Sequence, residues 1–586
     1  SPSLLTHPGS SVFLIARKCL RLVSFILLSS SFARPPSMTS KTFACSMLVA
    51  YFVLSQSHEF LKVTPKERKE RVSEEDVKSS LLAEVEGTLG TGSATNRLRL
   101  LEASLKPMFD ALPKNTHGNL GHSTVRYALH RLFISRHGWS IKGLGRHVEA
   151  ESNITSLAGV LKDQVPAYIQ NLFESRLGDQ GLGLHEVAVM ASTLEHLIHK
   201  EAVAKLGHVY KIFKKLPSQE VSSAMADEFL DTYMMALVLG EDMANMTSYD
   251  ARVITYEMPE LYLGWKDTQQ FVRRIRANVT QTDAPGPMSF ASLAKVVEVV
   301  GEEFGNFQDI ECKQLKQTLG AMEFAAGRVK VSDFYKPAVG GGWQFQESVP
   351  YLRQLGALDE SDPNAQSVII PNYLHSQTNC ISSSGYYSVC CKDECEALFG
   401  QLEEKIVGPE AKPATIVAIV ERMASSTVVG PRKLAANLLD RLNDVAEIHE
   451  GMIPLHGRLF AQWMHYAYPR ECPYPHVSGT TRQQTPDEWL LETGTDAVAT
   501  LEQMTEFTNQ TSVAEESNAE FMLWSSEEEL LVVRQERQTT HAGSPFASLR
   551  PVVLLVLAGA LAFGLVQSAR TTSKAGCDTG NEKFLV

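Results

Sequence analysis

Apolar residues recur at helical spacing through most of the chain. Leu98, Leu100, Leu101 and Leu105 are spaced for one helix face, as are Leu157, Val160 and Leu161 and, past Pro166, Ile169 and Leu172. Pro113, Gly138, Gly143, Gly181, Pro217 and the Pro285-Gly-Pro287 group interrupt this pattern up to about Lys330, and alternating strand-like runs are scarce. The periodicity predicts an α-rich domain over 96–336, held by burial of amphipathic faces, with no internal repeat. Gly340-Gly-Gly342 lacks the Lys of a phosphate-cradling loop and reads as a hinge into a second module over 343–490. There, helices are expected over 391–406, 413–423, 431–448 and 455–468, with Leu398, Leu402 and Ile406 facing inward. Phe460, Trp463, Met464 and Tyr468 read as a core stripe rather than a ligand patch.

Two apolar runs break the helical rhythm. The first methionine is Met38, and one lysine followed by the apolar stretch 44–54 makes 38–57 a signal peptide. Residues 1–37 then form a leader or translated upstream sequence, and 58–95, with Lys66-Glu-Arg-Lys-Glu-Arg71, a linker. The second run, 551–569, holds nineteen uncharged residues, enough for one membrane crossing at about 1.5 Å per residue. A polar, acidic stalk over 505–546 precedes it, with helical character at 528–538, and a tail over 570–586 carrying Arg570 and Lys574 follows.

Composition changes this picture in two ways. The net charge is −12 while the first 58 residues contain five basic residues and no acid, so the body is acidic. Nucleic acid is thereby disfavoured as a partner, because phosphate contacts need clustered Lys and Arg. Four glycosylation sequons begin at Asn153, Asn245, Asn278 and Asn509, all between leader and apolar run, as lumenal exposure requires.

The candidate chemistry centres on cysteine. Outside leader and tail the cysteines are Cys312, Cys380, Cys390, Cys391, Cys395 and Cys472, an even number suited to an oxidised lumenal domain. Neighbouring Cys390 and Cys391 do not suit a mutual bond, so each should reach a different partner. The rival reading is a zinc site from Cys391, Cys395, Cys472 and His476, or a reactive thiol at Cys380. His117, His122, His130, His137, His147, His185, His196, His199 and His208 are numerous, and Glu195 with His199 is an i,i+4 pair. No His-Glu-x-x-His follows, so these read as surface or capped histidines. The 178–186 stretch has too few carboxylates for a calcium loop and reads as a turn with Glu186 near a helix start. No cofactor is predicted.

The strings Gly327-Arg-Val-Lys-Val-Ser-Asp-Phe-Tyr335, Tyr351-Leu-Arg-Gln-Leu-Gly-Ala-Leu-Asp-Glu360, the block 380–395 and Glu471-Cys-Pro-Tyr-Pro-His476 carry a resemblance. Over roughly 98–489 the chain resembles an uncharacterised family of large proteins of dinoflagellates and related algae and protists. That resemblance implies a shared fold with a cysteine-containing second half, and no catalytic residue.

The sequence therefore predicts a mainly α protein: a multi-helix ectodomain, a disulfide-stabilised helical second module and one C-terminal transmembrane helix. It reads as a type I membrane glycoprotein of the secretory pathway or plasma membrane. Its expected role is non-enzymatic and receptor-like, with the membrane and an unidentified protein as partners. The alternatives are a lumenal metal- or thiol-dependent enzyme and an organelle-imported membrane protein.

Overall fold

Short polar side chains set where several helices begin. Ser222, Thr247, Ser289, Asp393 and Thr485 each accept a hydrogen bond from a backbone N–H of the turn they precede, satisfying donors a helix start leaves open. The computed structural model describes residues 93–141, 144, 181–241, 243–280, 286–362, 366–381, 387–509 and 523–532, all within one unit that ends at Val532. Among them are sixteen α-helices and only short strands, so the chain is mainly α. The segment 38–57, expected to be a signal peptide, and the apolar run 551–569 lie outside the described residues. Among those described, no helix is long and apolar enough to cross a membrane.

The first and largest core is built by α1 (Ser93–Ala111), α2 (His122–His137), α3 (Leu184–Ile212), α4 (Ser223–Leu239), α5 (Ser248–Leu261), α6 (Trp265–Thr280) and α7 (Phe290–Ala321). Leu98, Leu101 and Leu105 are buried in α1, at i, i+3 and i+7. Leu100 is 55% exposed, which corrects the expectation that all four leucines share a face. At about 100° per residue, Leu100 points well away from the other three. The 157–172 pattern lies outside the described residues.

The cysteine segment enters this first core. Strand β1 (Trp139–Ile141) pairs antiparallel with a strand from the cysteine block, Tyr387–Val389, with Trp139 opposite Val389. Gly138 ends α2 in a left-handed conformation (φ +68°), and a Cβ there would stand 2.8 Å from Cys390 O. Cys390 N donates to Gly138 O at 2.8 Å, so the turn both stops the helix and receives the strand.

A second core joins strands β2 (Arg328–Lys330), β3 (Leu358–Asp359) and β4 (Ser367–Ile369), in the order β2-β4-β3, to three helices. These are α8 (Val331–Val339), α9 (Val349–Gln354) and α10 (Ile370–Leu374). Gly340 to Gly342 form the stop of α8, with N–H groups donating to Lys336, Ala338 and Pro337 carbonyls. Beyond α10 the Tyr387–Val389 strand is β5. A third core packs α11 (Glu394–Ile406), α12 (Pro413–Val420), α13 (Ala436–Ile448) and α14 (Arg458–Ala467), with strands β6 (Glu410–Ala411) and β7 (Ile453–Pro454) paired at its edge. Phe460, Trp463, Met464 and Tyr468 are fully buried, each contributing roughly 1.5–3 kcal/mol by transfer from water. Helices α15 (Pro486–Thr493) and α16 (Leu501–Asn509) complete the described fold, α16 lying on α8.

The expected stalk over 505–546 is, in its described parts, attached to the body. Residues 505–509 belong to α16, and 523–532 lie as irregular chain against α14, with no helix over 528–532.

Candidate functional site

The six cysteines between 312 and 472 fall into three bonded pairs: Cys312–Cys391, Cys380–Cys390 and Cys395–Cys472. Cys390 and Cys391 thus take different partners. Cys312 sits in α7 of the first core, so its bridge ties that core to the segment leading into α11. Cys380–Cys390 closes the neck where Ile381 pairs with Val389. Cys395 opens α11, and its bridge holds the Glu471-Cys-Pro-Tyr-Pro-His476 turn.

In this arrangement the four residues of the zinc alternative do not converge on one point. Cys391 is bonded to Cys312, whereas Cys395 and Cys472 are bonded to each other, and His476 Nε2 lies 2.8 Å from Gly356 O. No set of three or more His, Cys, Asp or Glu arranged to hold a metal occurs among the described residues. The thiol at Cys380 is likewise bonded rather than available as a nucleophile.

The turn itself is pinned by side chains reaching backbone. Asn372 donates to Gly356 O and Tyr474 O, both at 2.9 Å, and accepts from Tyr474 N at 2.7 Å. Glu471, buried, accepts from Ser425, Ser426 and Thr427 and so organises a loop 44–46 positions away. His465 is fully buried, with Nδ1 2.7 Å from Cys472 O and Nε2 3.3 Å from Arg328 Nη1. A carbonyl only accepts and a guanidinium only donates, so the ring is neutral with its proton on Nδ1. Burial, with the Arg328 charge beside it, pushes its pKa down to about 3.

Two buried charge clusters join helices distant in sequence. In the first, Glu195 of α3 takes Arg97 of α1 at 2.8 Å and His137 of α2 at 3.2 Å, while His199 and Arg97 reach Glu302 of α7 at 3.1 and 2.7 Å. Trp139 stacks on the His137 ring at 4.1 Å. Burial pushes the Glu195 carboxyl up, but His137 and Arg97 outweigh it, leaving it below the ordinary range. Contact with His199 brings Glu302 down to about 2 against its partial burial. Glu195 and His199, spaced i,i+4 on α3, serve different partners. Of the other histidines, His137 is buried, His117 is exposed, His122, His130, His185, His196 and His208 are half-buried, and His147 lies outside the described residues. Glu186 accepts from Gly183 N at 2.6 Å, the expected helix-start role.

In the second cluster Arg131 of α2 ion-pairs with Glu396 and Glu403 of α11, and its guanidinium lies over the Tyr127 and Phe399 rings. Burial alone would lower the Arg131 pKa; Glu396, Tyr127 and Glu403 hold it well above its ordinary value. His456 closes the cluster, 3.4 Å from Glu403. These charges pin α11 to α2 beside the Cys312–Cys391 bridge.

A third feature escaped the sequence. The irregular strap 523–532 lies against the start of α14. Arg458 donates to Ser525 O at 2.9 Å and Glu527 O at 2.7 Å, and Gln462 donates to Ser525 O at 3.2 Å and accepts from Ser525 N at 3.1 Å. Glu528 accepts from Leu459 N at the helix start, at 3.1 Å, and sits 2.7 Å from His449 Nε2. Glu529 takes Ser478, Trp524 stacks near Tyr466 and lies by Arg441, and Leu531 O accepts from Ser123 of α2. Acidic residues three in a row were the only signal, and they fit a solvated stalk equally well.

The asparagines of three of the four sequons, Asn245, Asn278 and Asn509, are described and exposed; Asn153 lies outside the described residues. A shallow depression of about 530 Å³ lies between α11 and α12, lined by Lys405, Ala414, Thr415, Ala418, Ile419 and Arg422. No protein-family model matches the chain, and neither a curated protein nor a solved structure is significantly similar to it.

Proposed function

We propose that the chain is a non-enzymatic interaction protein of the secretory pathway or cell surface, its helical body on the lumenal side and its 551–569 run in the membrane. The observation that carries this reading is the pairing of all six described cysteines, since disulfides persist in oxidising compartments. The three exposed sequon asparagines agree with it. So does the use of the charge clusters, which join α1, α2, α3, α7 and α11 to one another. The partner is a protein that engages the ectodomain surface.

The test is a tagged chain begun at Met38 and expressed in a secretory host. The reading expects a mass loss with an N-glycan-removing enzyme, no alkylation of residues 312–472 without reduction, and protease protection of the body in sealed microsomes. A body that is unglycosylated, reduced and digested from the cytosolic side overturns it. Stoichiometric zinc on reduced Cys391, Cys395 and Cys472 would instead favour a metal-dependent enzyme.

A further inference from the structure

Residues 523–532 are bound as a peptide ligand is bound. Every hydrogen bond from the body to this strap joins residues at least 51 positions apart, and the contact to Ser123 spans 408. Its two apolar anchors, Trp524 and Leu531, are only half-buried, so recognition rests on polar contacts to its main chain and on the carboxylates of Glu528 and Glu529.

We propose that this groove also accepts the strap of a second copy of the chain, two chains exchanging residues 523–532 reciprocally. The groove is assembled by the body rather than by its occupant. Arg458 is held by Pro475 O at 2.9 Å and by Gln462, and Gln462 is held by Tyr474 at 3.0 Å, so the donors stand ready whichever chain supplies the strap. Charge also matches at Glu528, whose carboxylate meets His449 and the Leu459 N–H at the α14 start, while Arg458 holds the main-chain carbonyls of Ser525 and Glu527.

Exchange loses no contact, because an identical strap replaces the one that leaves. The balance between the closed chain and the exchanged pair is then set by connector length and local concentration alone. Thirteen residues, 510–522, separate α16 from the strap, and at 3.3–3.6 Å each they reach at most about 45 Å. That reach permits a crossing to a neighbouring body. The inference stands whether or not 551–569 crosses a membrane.

The test uses the detergent-solubilised full chain with Cys19, Cys45 and Cys577 replaced by Ser. Ser123 and Val532 are both exposed, and Ser123 Oγ lies 2.8 Å from Leu531 O, so a short bis-maleimide reaches from S123C to V532C. Differently tagged S123C and V532C chains are co-expressed, purified and cross-linked. Exchange predicts covalent dimers holding one chain of each kind, at least fivefold more abundant than S123C dimers. The S123C/V532C double variant reports docking itself and must link, within one chain or between two. Mixed samples that stay monomeric while the double variant links within its own chain overturn the proposal. So do mixed dimers no commoner than S123C dimers, or a double variant that fails to link at all.

Discussion

The first core and the two cores after it are held together by different means. The first contains helices of 29 and 32 residues, α3 and α7, which satisfy their own backbone and bury long continuous faces. The helices that follow run from 5 to 13 residues and are separated by irregular chain. Short helices are marginal alone, and irregular segments keep conformational freedom that folding must remove. The pins fall where that freedom is greatest: five of the six bonded cysteines, and the side-chain-to-backbone bonds of Asn372, His465 and Glu471, lie after residue 370. Covalent and polar restraint here follows the distribution of irregular backbone, not distance from a catalytic centre.

The sharpest way to break this contrast is reduction. Loop closure assigns about 4–5 kcal/mol to a bridge spanning 77 residues and about 3 kcal/mol to one spanning 10. Cys395→Ala with Cys472→Ala should therefore destabilise more than Cys380→Ala with Cys390→Ala, in urea unfolding followed by tryptophan fluorescence. Hydrogen exchange after full reduction should rise across α11 to α14 well before it rises in α3 and α7. Uniform exchange through all these helices would sink the contrast.

Next in size is Arg131→Ala, which leaves Glu396 and Glu403 buried without their cation and should cost roughly 3–5 kcal/mol. Arg131→Met, which keeps the bulk, should lose a similar amount if charge rather than packing is decisive. Chemical denaturation of both variants separates these causes.

A smaller, graded effect comes from His465. Its folded pKa is about 3, below the ordinary 6.5, so the unfolded chain binds the proton that the folded one refuses. The stability it contributes is complete above pH 6.5 and falls as pH drops towards 3, by up to about 1.4 kcal/mol per unit. Urea midpoints between pH 7.5 and 4.5 should show a shallower decline for His465→Gln, and equal slopes would remove the histidine from the account. The smallest effect belongs to Leu100→Ser, expected within about 0.5 kcal/mol, against roughly 2–5 kcal/mol for the fully buried Leu101→Ala. Paired thermal melts of the two variants measure that difference.

Periodicity carried most of the helices because it is local. Residues 391–406, 413–423, 431–448 and 455–468 contain the observed α11 to α14, shortened where Asp393 caps α11 and where chain before Ala436 and Arg458 stays irregular. The six bonding cysteines were legible from their number and from the incompatibility of neighbours, but not their partners, since spacing holds no information about which loops meet. The charge clusters were illegible for the same reason: Arg97 finds Glu302 across 205 positions and Arg131 finds Glu403 across 272. Residues 523–532 read as part of a stalk because their polarity serves a groove that only the folded α14 supplies.

The order of the three bridges along the chain has its own consequence. Cys380–Cys390 nests inside the span 312–391, which closes before the span 395–472 opens, so no bridge interleaves with another. A polypeptide emerging from its amino end can complete each pairing in turn, leaving only one sulfur waiting for a distant mate at any time once the inner hairpin has shut. Oxidation that lags until all six sulfurs have emerged forfeits this order and opens all fifteen pairings.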